Sequence, residues 1–80
     1  KFKKDYKKAG KQGRDIDVLK DVVGRLLRQE KLESKFKDHE LTGNWKGVRE
    51  CHLAPDWLLL YRIDGDTIVF IRTGSHSEIL

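Results

Sequence analysis

The chain contains no methionine, only one cysteine and only one proline. A single cysteine cannot form an internal disulfide, so we expect Cys51 to be a small buried hydrophobe in a reducing, cytoplasmic protein. Because natural chains start with methionine, its absence indicates a natural N-terminus before Lys1. No apolar run is long enough to cross a membrane and no secretory signal is present, so we expect no membrane partner.

Several motifs of well-known enzyme classes are also missing. The sequence has no nucleophile-elbow pattern, no phosphate-binding glycine loop and no dinucleotide fingerprint. These absences argue against hydrolases of that type, kinases and nicotinamide enzymes, and we expect no organic cofactor.

The composition predicts one small folded domain spanning residues 1–80. Hydrophobic and charged residues each make up 38% of the chain, which is enough apolar material for one core and too much for a disordered chain. Residues 1–14 hold seven basic side chains and one acidic one, a net charge of +6, whereas the whole chain carries only +4. Such asymmetry favours a polyanion or an acidic protein as the partner of the N-terminal segment, although a solvated lysine-rich face is the simpler alternative.

The hydrophobic pattern predicts two helices followed by strands. Apolar residues at helical spacing indicate a first helix over Lys1–Lys11 and a second from Ile16 to about Gln29, capped by Asp15 or Asp17. Residues 30–43 are polar and irregular and are predicted to form a connector. Strands are then predicted over Val48–Leu53, Trp57–Ile63 and Thr67–Arg72, with a tight turn at residues 64–66. Helices followed by strands favour an α+β fold with a three-stranded antiparallel meander.

All three histidines lie in the second half of the chain, at His39, His52 and His76. His76 follows the last predicted strand, and Asp56, four residues after His52, is placed to orient an imidazole. Each histidine alone is more often an ordinary surface residue. Together with Arg49 and Arg72 on neighbouring strands, they favour acid–base chemistry on a phosphate. A zinc site is the weaker alternative, since the histidine gaps are wide and local ligand pairs are missing, so we expect no metal.

Cleavage of RNA needs only side chains of these kinds: an acid, a base and a positively charged group. The 2′-hydroxyl attacks the adjacent phosphate while a base removes its proton, an acid protonates the leaving 5′-oxygen, and arginine stabilises the extra negative charge. Trp45 and Trp57 could hold a splayed base by stacking. Burial in the core is about as probable for Trp57, which precedes three leucines.

The segments KDHELTGNWKGVRECHLAPDWLLLYRI and RTGSHSEIL resemble the YafQ-type branch of the RelE/ParE toxin superfamily. Members of this branch are ribosome-dependent mRNA interferases of bacterial type II toxin–antitoxin systems. The resemblance is close over residues 37–80 and extends to the helical half only in pattern. It implies two helices packed on a twisted antiparallel sheet, with the first strand of the family missing or truncated here.

The resemblance also implies which residues take part in catalysis. It makes His76 an acid–base residue and Arg72 the clamp on the phosphate, while His39, His52 and Asp56 share proton transfer and orientation. Which of them is the base stays open. The family often has an aromatic residue at the position of Leu80, so a stacking role there is not expected.

The implied partners are a cognate antitoxin of the DinJ or RelB type, mRNA in the ribosomal A site, and ribosomal RNA. The following side chains are predicted to contact RNA: Trp57, Trp45, Arg49, Lys3, Lys4, Lys7 and Lys8. The alternative is a non-catalytic toxin on the same fold that acts by binding, either to gyrase or to RNA. The histidines favour the nuclease, because the gyrase-directed branch lacks them.

Overall fold

The computed structural model describes all residues, 1–80, as three helices and a four-stranded antiparallel sheet. The elements are α1 (Phe2–Lys11), α2 (Ile16–Leu27), β1 (His39–Glu40), β2 (Arg49–Ala54), β3 (Trp57–Asp64), β4 (Thr67–Gly74) and α3 (His76–Ile79). Short 3₁₀ turns occupy Ser34–Phe36 and Gly43–Trp45. The strands follow one another in the order β1-β2-β3-β4, which confirms the predicted α+β meander.

The two long helices form where the apolar spacing predicts them. The Asp15 side chain accepts a hydrogen bond from the backbone N–H of Asp17, which satisfies one of the free donors at the start of α2. Leu19, Val22 and Leu26 make up the buried stripe of this helix. The helix ends at Leu27, two residues earlier than the spacing suggests.

The sheet extends beyond the predicted meander. Strand β1 adds a fourth strand inside the segment that was predicted to be irregular, and it pairs His39 with Glu50 of β2. A strand of two residues has no hydrophobic alternation of its own, so nothing in the local sequence indicates it. The predicted turn at residues 64–66 is confirmed, and Gly65 adopts a φ of +62° there, which glycine accommodates without strain.

Helix α3 is a second element, after β1, that the sequence did not predict. Ser75 and Glu78 form a reciprocal capping box, in which each side chain accepts a hydrogen bond from the other residue's backbone N–H. The Ser-x-x-Glu spacing is a recognised signal for a helix start, but four residues are too few for a hydrophobic period.

The core lies between the two long helices and one face of the sheet. Cys51, Leu59 and Tyr61 pack there against α2, and the burial of Cys51 is as predicted. The other face of the sheet has a smaller apolar cluster in which Leu58 and Leu60 pack against Ile79 of α3. No helix of the structure is both long enough and apolar enough to span a bilayer.

Candidate active site on the open face of the sheet

The predicted histidines meet on one face of the sheet, which we call the open face because α1 and α2 cover the other one. Side chains alternate between the two faces along a strand, so Glu50 and His52 lie opposite Cys51, which is in the helix-covered core. His39 is the register partner of Glu50 and therefore projects from the same face. The fold thus gathers residues from β1 and β2 on a surface that the long helices leave accessible.

The three imidazoles form a continuous row, which we call the histidine row: His39, His52 and His76. The ring centroids of His39 and His52 are 6.2 Å apart, and those of His52 and His76 are 6.0 Å apart. At these separations, one phosphodiester group can contact two neighbouring rings.

His52, in the middle of the row, is held by a carboxylate that the sequence analysis did not select. Its Nε2 lies 2.9 Å from Oε1 of Glu50, whose side chain is only 6% exposed. A buried carboxylate needs hydrogen-bond partners, and it favours an imidazole that keeps a proton on the facing nitrogen. Glu50 is therefore a functional candidate. Its position two residues before His52 on a strand is the one sequence signal that could have indicated it.

His76 is oriented by Asp56. Oδ1 of Asp56 lies 3.1 Å from the Nδ1 of His76 and also accepts a hydrogen bond from its backbone N–H at 3.3 Å. These two bonds from His76 lower the pKa of Asp56, so the carboxylate stays charged. With Nδ1 occupied, the His76 Nε2 is left for a substrate, and it lies 4.0 Å from Glu50 Oε1. The predicted link between Asp56 and a histidine is present, although the partner is His76 and not His52.

His39 is fixed by the backbone. Its Nδ1 donates a hydrogen bond of 2.6 Å to the carbonyl oxygen of Lys37, which can only accept. This bond assigns the Nδ1 proton and leaves Nε2 as a free acceptor in the neutral ring.

Arg72 is bound by a carboxylate of α1 and not by a residue of the histidine row. Its guanidinium makes two hydrogen bonds to the Asp5 carboxylate of α1, from Nε at 2.6 Å and from Nη2 at 3.2 Å. No hydrogen bond or ion pair joins Arg72 to a histidine. A substrate phosphate therefore either competes with Asp5 for these donors or uses the N–H groups of Arg72 that Asp5 leaves free.

The burial of Trp57 contradicts its predicted stacking on RNA, and Arg49 lies on the other face of the sheet from the histidines. Trp57 is 2% exposed, so its faces cannot stack on a base; they pack in the core, with the Arg14 guanidinium 5.5 Å from the ring centre. Arg49 belongs to the opposite parity from His52, and its Nε bonds the Tyr61 hydroxyl and Asp38, each at 3.3 Å. This places Arg49 on the helix-covered side, away from the histidine row.

The remaining RNA-contacting candidates are on the surface. Trp45 is 36% exposed in the turn before β2, which leaves part of its ring free to stack. Lys3, Lys4 and Lys7 are exposed on α1. Lys8 is exposed as well, but its Nζ forms a 2.7 Å ion pair with Glu78.

A groove of about 690 Å³ opens beside His52. It runs past Pro55 to Phe36 and is bordered by two lysines and two aspartates, Lys35, Lys37, Asp17 and Asp21. The groove therefore offers room for nucleotides next to the histidine row.

Comparison with known proteins agrees with this fold and site. The family described as "Bacterial toxin of type II toxin-antitoxin system, YafQ" matches residues 1–80. The mRNA interferase toxin YafQ of Escherichia coli (strain K12) is 38% identical over 79 residues, which cover 98% of this chain and 86% of that protein.

Two solved structures are similar over almost the whole chain. The E. coli DinJ–YafQ complex contains a chain with a TM-score of 0.90 and 38% identity, and the match covers 99% of this chain and 89% of that one. A metal-bound toxin from Helicobacter pylori has a TM-score of 0.91 and 48% identity, with 100% and 91% covered.

The α+β fold and the histidine row define a toxin of the RelE-like group, as the sequence segments predict. More narrowly, the chain belongs to the YafQ family of type II toxin–antitoxin toxins. The structure contains no group of three or more His, Cys, Asp or Glu side chains arranged to hold a metal ion.

Proposed function

We propose that this protein is an mRNA interferase, a ribosome-dependent and metal-independent endoribonuclease that cleaves mRNA by attack of the ribose 2′-hydroxyl. The observation that carries the proposal is the pair of carboxylate-held imidazoles, His52 with Glu50 and His76 with Asp56, whose rings lie 6.0 Å apart. Two imidazoles at this spacing can serve the two ends of one phosphodiester. The name of the E. coli relative supports the same activity.

The reaction is balanced by two proton transfers. The 2′-oxygen forms a bond to phosphorus and loses its proton to a base, while the bond from phosphorus to the 5′-oxygen breaks and that oxygen receives a proton. We assign His76 as the acid, because its ring lies between two carboxylates, Asp56 at Nδ1 and Glu50 at 4.0 Å from Nε2. His52, oriented by Glu50, is then the base. Each positioned group contributes about 10²–10⁴-fold to the rate.

Negative charge develops on the phosphate as the 2′-oxygen attacks. His39 borders His52 and can donate from Nε2 when it is protonated. Arg72 binds the phosphate in this proposal, either through the N–H groups that Asp5 leaves free or by exchanging Asp5 for the phosphate.

The ribosome supplies the substrate in the A site and a large RNA surface. Lys3, Lys4 and Lys7 of α1 are exposed and carry no acidic partner, so they are available to ribosomal RNA. An enzyme that acts on translated mRNA works in the cytoplasm, which is where we place the protein.

A cognate antitoxin is the proposed protein partner. The E. coli relative is found in a complex with DinJ, and the present chain matches 99% of its length to the YafQ of that complex. The excess of positive charge on α1 suits an acidic antitoxin segment, which would mask the surface that otherwise meets RNA.

Cleavage-site mapping tests the proposal. We expect primer extension on an mRNA in a reconstituted translation reaction to give discrete cuts with the wild type and none with His76→Gln, and we expect naked mRNA to stay intact. Lys20→Gln, an exposed change on α2 away from the histidine row, is the matched control and should cut like the wild type.

Other outcomes would redirect the assignment. Translation arrest without cuts would favour the alternative, a toxin that acts by binding. Cuts that persist in His76→Gln would require a different acid. Loss of cleavage on adding a chelator, restored by a divalent metal, would overturn the metal-independent mechanism.

A further inference from the structure

The short helix that carries His76 is anchored by side chains from the other end of the chain. Helix α3 has four residues and begins with His76 directly after its N-cap, Ser75. Isolated helices of this length are unstable in water, since each turn costs more conformational entropy than its few hydrogen bonds return. The orientation of His76 therefore depends on contacts that α3 makes with the rest of the protein.

Glu78 provides the polar part of this anchoring. Oε1 of Glu78 accepts a 2.8 Å hydrogen bond from the Ser75 backbone N–H, which closes the capping box beside His76. Oε2 lies 2.7 Å from Nζ of Lys8 and accepts a 3.4 Å hydrogen bond from Gln12. Arg14 adds a longer contact to Oε1 at 3.7 Å. One carboxylate thus joins the N-terminus of α3 to α1 and the loop after it.

Packing limits how α3 can shift. Ile79 is 5% exposed and sits against Leu58 and Leu60 on the open face. A Cβ at Gly74 would come within 3.1 Å of both the Glu78 carboxylate and Ile79, so the helix lies directly on the end of β4. The ion pair to Lys8 and the apolar contact of Ile79 hold the helix at two points.

We propose that Glu78, together with Lys8, is a positioning residue for His76: it fixes the start of α3 so that the imidazole meets Asp56 and faces the scissile phosphate. Neither residue touches the reacting atoms. The consequence is a mechanical link between the basic surface of α1 and the acid of the reaction. The effect on cleavage rests on the proposed function. The effect on the geometry of His76 does not, and it can be measured on the free protein.

The structural readout is NMR of the free protein. We expect Glu78→Ala to change the ring chemical shifts of His76, because the imidazole loses its fixed geometry to Asp56, Glu50 and His52. Lys8→Gln should produce the same changes with smaller amplitude. The methyl signals of Leu19, Val22 and Leu26 report whether α2 and the core stay intact. This part needs neither ribosome nor RNA.

The kinetic readout is single-turnover mRNA cleavage on ribosomes at increasing toxin concentration. We expect Glu78→Ala to lower the saturating rate on the order of 10-fold or more, because small displacements of catalytic groups are costly. Lys8→Gln should lower it several-fold and Lys8→Arg, which can keep the ion pair, should restore it. Lys4→Gln is the matched control: it removes a charge from the same helix but no contact with α3, so it should raise only the half-saturating concentration.

Several results would overturn the proposal. One such result is unchanged NMR signals of His76 in folded Glu78→Ala and Lys8→Gln. Another is a Lys8→Gln variant that, like Lys4→Gln, keeps the wild-type saturating rate of cleavage. If Glu78→Ala does not fold, Glu78→Gln, which keeps the capping-box acceptor but loses the charge, and Lys8→Gln decide the matter. A wild type that cuts no mRNA would sink the proposed function, whereas the NMR comparison would still judge the positioning role.

Discussion

Glu50 is the residue whose surroundings say most about how the site works. It is 4% exposed, although carboxylates are rarely buried without compensation. Its Oε1 lies 2.9 Å from His52 and 4.0 Å from His76, so one charge serves both imidazoles of the proposed reaction. Removing that charge alters the base and the acid together while leaving the core beneath them in place.

We expect Glu50→Gln to lower mRNA cleavage on the order of 10²-fold, because a neutral amide no longer forms an ion pair with either imidazole when that ring carries a proton in the reaction. The protein should stay folded, since Gln has the same shape and can still accept a hydrogen bond from His52. Primer extension measures the cleavage, and thermal unfolding checks the fold. Glu40→Gln, an exposed acid on β1, is the control, and wild-type cleavage by Glu50→Gln would remove Glu50 from the mechanism.

At the scale of elements, β2 and α3 form the site and β3 supports it. Strand β3 is buried from Trp57 to Tyr61, so neighbouring β2 rests on a rigid strand and its exposed-side residues are held precisely. Helix α3 differs, because its polar anchoring comes from one carboxylate, Glu78. The pKa of Glu78 is lowered to about 2, first by the hydrogen bond from Lys8 and then by the Ser75 backbone and hydroxyl. The position of His52 is therefore fixed by the sheet, whereas the position of His76 depends on how α3 is anchored.

The lowered pKa of Glu78 predicts how stability depends on pH. Because the folded-state pKa lies below the ordinary value of 4.5, the contribution of Glu78 is complete above about pH 4.5 and is lost as the pH falls towards 2. We expect Glu78→Gln to be less stable than the wild type at pH 7, and the difference should shrink between pH 4.5 and 2. Urea unfolding of both proteins across this range is the measurement. A constant difference at every pH would show that the Glu78 charge does not stabilise the fold.

At the scale of the whole molecule, charge and site are arranged on different elements. The first 14 residues hold a net charge of +6, mostly on the exposed side of α1, whereas the open face carries Glu50 and Asp56 beside the histidines. In the proposed function, attraction to RNA therefore comes from one part of the surface and chemistry from another. The ion pair between Lys8 and Glu78 connects the two parts.

Reversing three lysines tests whether α1 binds ribosomal RNA. We expect Lys3→Glu, Lys4→Glu and Lys7→Glu together to weaken ribosome binding and to flatten its salt dependence, because fewer counterions are released. The change spares Lys8 and so leaves the contact with α3 in place. Lys20→Glu, Lys31→Glu and Arg62→Glu change the charge equally on exposed positions elsewhere and form the control. Equal binding by the two triple variants would argue against α1 as the contact surface.

Local patterns were sufficient for the parts of this protein that are built from local interactions. The helical stripe of α2, the apolar run of β3 and the glycine turn at Gly65 each predict their own structure, because spacing and backbone preference act within a few residues. The histidines and Asp56 could also be selected as candidates from the sequence. They lie in two short segments that resemble a toxin family, and their side chains are suited to acid–base chemistry.

Only the tertiary structure decided which of these side chains meet. The sequence places Arg72 near His76, yet Asp5, 67 residues earlier, binds its guanidinium. It leaves Trp57 equally suited to core and surface, and the packing of the helices buries it. The sequence does not distinguish Glu50 from the other acids. Glu50 is a candidate because it is buried and lies near His76, which belongs to a separate element. Such contacts depend on strand register and on the docking of distant elements, which no short stretch of sequence contains.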